Sequence, residues 1–261
     1  QLRGLQPVRD ETTGAVYPVE PLGLAQQGAE VYRANGCYAC HSQQVRQTGY
    51  RFNAVLEKAG TDPDVVTRAL RQANPRLIVE EAELFAMAEG EVLPLGPINL
   101  HRRGTLEKVF SDAGLEAVEA KVRFDLVPTG PDIQERGWGK RGSVAADYLY
   151  DDPAMPGSLR IGPDLSNIGD RMPDRMWHLL HLYRSRLVVE KSMMPDHRHL
   201  FEKRRVGDEP SPLALPLPEE LHPGEGWEIV PKPEAIALVA YLQSLKSGQP
   251  LFEAPMAAPS N

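Results

Sequence analysis

The chain has 261 residues, of which 41% are hydrophobic, and it carries a formal net charge of −7. This length and composition allow a buried core, and the acidic balance argues against nucleic acid as a partner. No run reaches the roughly 18 apolar residues that a membrane-spanning helix needs. The 24 prolines and 22 glycines predict a loop-rich fold with interrupted helices.

The first segments predict an extended lead-in followed by a helix. Residues 1–20 contain Pro, Thr and Gly without a period, whereas apolar residues recur at helical spacing from Pro21 to Asn35. Gly28 lies four residues before Tyr32 in this helix. A glycine there allows another backbone to approach closely, so we expect a second helix to cross at this point.

The run Cys37-Tyr38-Ala39-Cys40-His41 follows at once and is the pattern of a c-type haem attachment site. Each thiol would add to one haem vinyl group, and the adjacent imidazole would then ligate the iron. These are the only two cysteines of the chain. A zinc site usually needs four protein ligands, and a redox dithiol is expected in a βαβ context that these flanks do not show. Both remain as alternatives to one covalent haem c.

Residues 52–138 are predicted to form an inserted α+β subdomain, because they have their own apolar periodicity and no haem motif. The predicted elements are helices at Asp62–Ala73, Glu80–Glu89 and Thr105–Ala113, a turn at Leu93–Pro97 and a strand at Val118–Leu126.

The run from Arg160 to Leu165, Arg-Ile-Gly-Pro-Asp-Leu, predicts a turn beside the haem. The carbonyl oxygen of Pro163 could accept the Nδ1 proton of His41, which would leave Nε2 for iron. Arg160 could neutralise a haem propionate, and an ordinary salt bridge is its alternative. Trp177 lies on a helix predicted from about Pro173 to Ser185 and could pack on the haem edge or in the core.

Met194 is followed by Pro195 and is the candidate distal ligand of the iron. A His/Met ligand pair raises the reduction potential, and iron with six ligands has no open site for oxygen. This combination favours electron transfer over catalysis. The alternatives for the distal position are Met193, Met172, Met155, His197 and His199. His178 and His181 lie three residues apart, but they are more typical of surface or packing histidines than of a metal site.

The last third of the chain predicts one more helix. Residues 201–231 are charged and then rich in proline, so we expect an irregular segment there. Pro233–Lys246 predicts a strongly apolar helix that Gly248 ends, and the tail to Asn261 is expected to be disordered.

Three stretches together resemble one known family. They are Glu20–Arg46 with the cysteine motif, Arg160–Leu165 followed by Trp177-His178, and Val188–Pro195. Together they resemble the mono-haem subunit of cbb3-type cytochrome c oxidase. The resemblance covers roughly residues 20–50 and 138–202 and, less specifically, the last helix.

The resemblance implies a periplasmic electron-transfer domain that is not an enzyme on its own. Its partners would be a donor cytochrome and the other oxidase subunits, and the electrons would pass toward a haem-copper core. The family is tethered by an N-terminal transmembrane helix, and we expect such an anchor upstream of Gln1 in the full-length protein. A stand-alone periplasmic carrier and a haem enzyme or gas sensor with an exchangeable distal site are the alternatives.

The expected fold class is mainly α. It combines a class I cytochrome c fold with a large α+β insertion between the haem-attachment motif and the Gly-Pro-Asp-Leu turn. The cytochrome domain would comprise residues 1–51 and 139–261, including a Pro-rich loop at 203–231, and the inserted subdomain would comprise residues 52–138.

Overall fold

A computed structural model of the chain describes residues 5–9, 14–73, 88–97, 108, 111–249 and 251. Within these residues the chain divides into two compact units. One is formed by residues 1–45 and 143–249, and the other by residues 46–142 and 250–261.

The expected fold class is wrong. Within the described residues, six α-helices and seven strands have defined bounds, and the strands form three small antiparallel sheets. The chain is therefore not clearly mainly α, and the structure does not show a cytochrome c fold. The expectation failed because it rested on the helices that flank the cysteine motif, whereas most of the strands have no simple alternation of apolar and polar residues.

Among its described residues, the first unit has four α-helices and two pairs of short antiparallel strands. The helices are α1 (Leu24–Ala34), α4 (Ile168–Arg171), α5 (Arg175–Tyr183) and α6 (Pro233–Ser244), and the strands are β1 (Val8–Arg9), β2 (Val16–Tyr17), β6 (Phe201–Arg205) and β7 (Trp227–Pro231). Strand β6 pairs with β7 in antiparallel register from Phe201↔Pro231 to Arg205↔Trp227. Residues 201–231 thus begin and end in paired strands that were not predicted. The connection 206–226, which contains the prolines, has no strand or α-helix, as the prolines predicted.

One apolar core joins these elements. It includes Tyr32, Leu179, Leu238 and Val239, each 1% exposed or less. Complete burial of a leucine of this kind stabilises the fold by roughly 1.5–3 kcal/mol.

The predicted crossing of the first and last helices is confirmed. A Cβ atom on Gly28 of α1 would overlap the backbone carbonyl of Ala237 in α6 and would lie 2.7 Å from the Cβ of Tyr241. The rings of Tyr32 and Tyr241 pack beside this point, with centroids 5.4 Å apart. Glycine is therefore required sterically where the two helices cross.

The second unit is built on a three-stranded antiparallel sheet in the order β4–β3–β5. Its elements are β3 (Gly49–Lys58), α2 (Pro63–Ala73), β4 (Val92–Pro97), β5 (Lys121–Thr129) and α3 (Pro131–Gln134). Ala54 and Leu56 of β3 pack with Val66 and Leu70 of α2 in a separate core.

Several element predictions for this unit need correction. The turn expected at Leu93–Pro97 is strand β4, the strand expected at Val118–Leu126 begins later, at Lys121, and β3 was not predicted. The helices predicted at Glu80–Glu89 and Thr105–Ala113 lie mostly outside the described residues. Nearly all of the C-terminal tail that ends at Asn261 also lies outside them.

Across the described part of the chain, no helix has the length and apolar content needed to cross a bilayer.

Candidate haem site

The cysteine motif lies at the end of α1, in a single turn of 3₁₀ helix from Cys37 to Ala39. Gly36 precedes it in the left-handed conformation, with φ 66°, which glycine adopts without steric cost. The backbone N–H groups of Cys40 and His41 both donate to the carbonyl of Cys37, at 3.2 and 3.0 Å. The two thiols and the imidazole therefore come from one compact turn, and neither cysteine forms a disulfide.

The His41 ring is oriented by the Gly-Pro-Asp-Leu turn. Its Nδ1 lies 2.8 Å from the carbonyl oxygen of Pro163. A carbonyl can only accept, so Nδ1 carries the proton and Nε2 keeps its lone pair. Burial lowers the pKa of His41, which favours this neutral form. The result is an imidazole prepared to ligate a metal through Nε2.

Gly162 allows this contact. A Cβ atom there would overlap the His41 ring, and the Gly162 N–H donates to the carbonyl of Cys40 at 3.0 Å. The turn thus lies directly against the cysteine motif and leaves no room for a side chain.

Asp164 fixes the same turn from the other side, and sequence reasoning gave it no role. Its carboxylate is completely buried. It accepts bonds from Ser42 Oγ at 2.6 Å, the Gln44 N–H at 2.7 Å and the Ser166 N–H at 2.9 Å. In the sequence, the only indication of a role for Asp164 is its place in the Gly-Pro-Asp-Leu run. Its partners Ser42 and Gln44 lie 120 or more residues away, so these contacts form only in the folded chain.

Met194 is half-buried and packs against the same apolar core as Cys37. Its carbonyl accepts a bond from Ser185 Oγ at 2.9 Å, and its N–H donates to Ser192 Oγ at 3.2 Å. Met193, in contrast, is 78% exposed. Of these two methionines, Met194 is the one that packs against the core, and Met155 and Met172 also contact this core.

Arg160 and Trp177 already have partners within the protein. Arg160 donates to the Gln44 carbonyl and lies 4.0 Å from Asp164 Oδ2. The Trp177 ring stacks on His181, with centroids 4.8 Å apart and an interplanar angle of 8°. These contacts give both residues a structural role, and their haem contacts stay predictions.

Two histidines near His41 carry unpartnered ring nitrogens. The Nδ1 atoms of His181 and His197 are buried and have no hydrogen-bond partner among the described residues. Burial, and then the charge of His41, lowers the pKa of His181 to about 4. His178, in contrast, places its Nε2 2.7 Å from the Met172 carbonyl, as a packing histidine does.

A cavity of about 400 Å³ opens on another part of this unit, beside Gln43 and Tyr241. Its lining includes Tyr17, Tyr148 and Asp151 but none of the cysteine motif, Pro163 or Met194. Burial raises the pKa of Asp151 to about 6.

The donor set fits a covalently held haem. Two unpaired thiols, an imidazole with an available Nε2 and a thioether in the same core are the groups that such a haem requires. In the described part of the chain, no group of three or more His, Cys, Asp or Glu side chains is arranged to hold a metal ion by itself.

Residues 131–211 match the family model described as cytochrome c oxidase, mono-heme subunit/FixO. That family is an electron-transfer component of cytochrome c oxidase, has one haem and associates with other oxidase subunits. No curated protein matches the chain. The family match contains Pro163 and Met194 but not the cysteine motif, so the motif and the match are two separate observations. Together they support the resemblance to the cbb3-type mono-haem subunit.

Proposed function

We propose that this chain transfers electrons through one haem c that is bound covalently at Cys37 and Cys40. The observation that carries the proposal is the geometry at His41. The imidazole follows the two thiols in one turn, and its Nδ1 lies 2.8 Å from the Pro163 carbonyl, so that Nε2 is available to iron.

Each residue has a defined role in this proposal. The thiols of Cys37 and Cys40 hold the haem by thioether bonds, and His41 is the proximal ligand. Met194 is the distal ligand, since its side chain packs inward with the same core. The bound haem supplies an iron whose charge changes by one electron, and sulfur ligation favours its reduced state.

The family match supports a proposal for the cellular setting. We propose that the chain is the periplasmic domain of a cbb3-type mono-haem subunit. It receives electrons from a donor cytochrome and passes them toward the haem-copper core, without being an enzyme on its own. The match of residues 131–211 to the mono-haem subunit family supports this setting.

Covalent attachment is tested by producing the chain in the periplasm of cells that mature c-type cytochromes. We expect the chain to keep the mass of one haem after denaturation and acid extraction. The Cys37→Ala/Cys40→Ala double variant should lose it, whereas the matched change of an exposed residue in the same turn, Tyr38→Phe, should keep it. Recovery of unmodified chain from these cells would contradict the proposal.

Distal ligation is tested with carbon monoxide. The reduced holoprotein should not bind it, because Met194 fills the sixth position. Rapid binding would rule out Met194 as a ligand and would favour a haem enzyme or gas sensor.

A further inference from the structure

Close to Met194, two apolar side chains of the same loop are exposed to solvent. Met193 is 78% exposed and Val189 is 41% exposed. Single exposed apolar residues are common on protein surfaces, but these two lie on the loop that carries the proposed iron ligand. Any protein that docks on this loop therefore comes close to the distal side of the site.

The loop is held by its own hydrogen bonds. The Ser192 N–H donates to the Val189 carbonyl at 2.9 Å, and Arg186 Nε donates to the Ser192 carbonyl at 3.1 Å. Ser185 attaches the following residue, Met194, from the other side. A surface that is ordered in advance loses little conformational entropy when a partner binds.

Around these apolar residues the charge is positive, although the whole chain is acidic. Residues 184–205 contain seven Lys and Arg but only three Asp and Glu, in a chain whose formal net charge is −7. Arg186, Lys191 and Arg198 are exposed. Asp196 and Arg198 form an ion pair at 3.1 Å, so their two charges offset each other, and Glu190 is exposed between Val189 and Lys191. The count over residues 184–205 remains positive with these acidic residues included.

We infer that the surface formed by Arg186, Val189, Lys191, Met193 and Arg198, here termed the distal-loop surface, docks an acidic electron-transfer protein. Its exposed apolar centre and basic rim are complementary to an apolar patch with acidic surroundings. Docking brings the partner beside Met194, where a haem held by Cys37, Cys40 and His41 would accept one electron from the reduced partner, with no bond made or broken.

The inference rests on the proposed function, since it assigns a partner to the same haem. Local and global charge predict opposite behaviour toward an anion. The chain as a whole repels anions, whereas the distal-loop surface attracts them. The rate of a charged redox probe therefore shows whether the net charge of the chain or the charge of the distal-loop surface governs its approach.

The experiment measures how fast ferricyanide oxidises the reduced holoprotein at rising ionic strength. If anions approach at the distal-loop surface, the rate falls as salt screens the attraction. Lys191→Glu should lower the low-salt rate on the order of three- to ten-fold, because a trivalent anion meets a reversed charge. The cationic tris(phenanthroline)cobalt(III) should respond in the opposite direction.

Arg68→Glu makes the same change of charge at an exposed position outside this surface and should leave both rates nearly unchanged. Arg186→Glu is a second variant, in case Lys191→Glu binds less haem. A ferricyanide rate that rises with salt, or one that ignores both Lys191 and Arg186, would overturn the inference. Absence of covalent haem would instead defeat the proposed function, and it is visible before any kinetics.

Discussion

His41 depends on a neighbour with no side chain. A Cβ atom on Gly162 would overlap the imidazole, so Gly162→Ala must displace either the ring or the turn that carries Pro163. We expect a loss of roughly 1–3 kcal/mol in the free energy of unfolding and a smaller fraction of chains with covalent haem. Urea unfolding and the haem content of the purified chain measure the two effects.

Gly207→Ala is the matched control for this substitution. A Cβ atom there meets nothing within 4 Å, and we expect stability and haem content to stay close to those of the parent chain. If Gly162→Ala behaved like the control, the close contact between the turn and His41 would be disproved.

Met194 sets the expected reduction potential. Met194→His should keep covalent attachment, which needs only the cysteine motif, but it should lower the midpoint potential on the order of 0.1 V or more, because nitrogen replaces soft sulfur. Potentiometric titration of the holoprotein measures this shift. Met193→His is the control at an exposed position, and an unchanged potential in Met194→His would indicate another distal ligand.

Asp151 makes stability depend on pH. Burial raises its pKa from 3.8 to about 6 in the folded chain, so the folded state binds a proton more tightly than the unfolded state. The free energy of unfolding therefore falls as the pH rises from about 4 to about 6, and the cost persists above that range. Asp151→Asn should stabilise the chain by about 1 kcal/mol at pH 7, a value reduced for partial solvent screening.

Toward pH 4 most of the benefit of Asp151→Asn should disappear, because the folded carboxyl is then protonated and the unfolded one is about half protonated. Urea unfolding at pH 4 and pH 7 measures the difference, with exposed Glu190→Gln as a control that removes the same charge. Equal stabilisation at both pH values would show that the effect has nothing to do with ionisation.

At the level of elements, the crossing of α1 and α6 makes a strict demand on one position. Gly28→Ala would bring a Cβ into the carbonyl of Ala237. Alanine favours helix by about 1 kcal/mol over glycine, but overpacking costs roughly 1–3 kcal/mol, so we expect net destabilisation. Gln27→Ala, at an exposed position of the same helix, should be neutral or slightly stabilising, and chemical unfolding of both variants gives the comparison.

The sequence predicts what its local chemistry requires. Covalent haem needs two thiols and an imidazole in one turn, so Cys37, Cys40 and His41 can be recognised without any tertiary structure. Helix α6 is also predictable, because its apolar residues are close in the chain. The Pro163 contact could be predicted because a ligating histidine needs an acceptor for its other ring nitrogen, and the Gly-Pro-Asp-Leu turn offers a carbonyl for it.

Features that depend on tertiary contacts were harder to predict from the sequence. Strands β6 and β7 pair across a long Pro-rich connection, and the exposed side of β6 is largely charged, so no local alternation marks it. Strand β3 has consecutive buried residues, Ala54 to Leu56, which do not distinguish strand from helix. Asp164 and Gly162 matter through contacts with distant residues, and residue type alone does not indicate such contacts.

At the scale of the whole molecule, the chain leaves and re-enters its first unit at adjacent points. The Val45 N–H donates to Ser143 Oγ at 3.0 Å, and the Ser143 N–H donates to the Val45 carbonyl at 3.0 Å. Residues 46–142 can therefore be replaced by a short flexible linker, because the two ends are already held together and closing a short loop costs little entropy.

We expect the chain shortened in this way to fold, to unfold cooperatively in urea and to keep covalent haem, because Cys37, His41, Pro163 and Met194 all belong to the first unit. Excision of residues 52–138 instead is the informative comparison. It cuts β3 after Arg51 and leaves a strand stub without its partners, which should lower solubility. If the version without 46–142 unfolded or aggregated while the version without 52–138 remained stable, Val45 and Ser143 would not mark the limits of the haem-bearing unit.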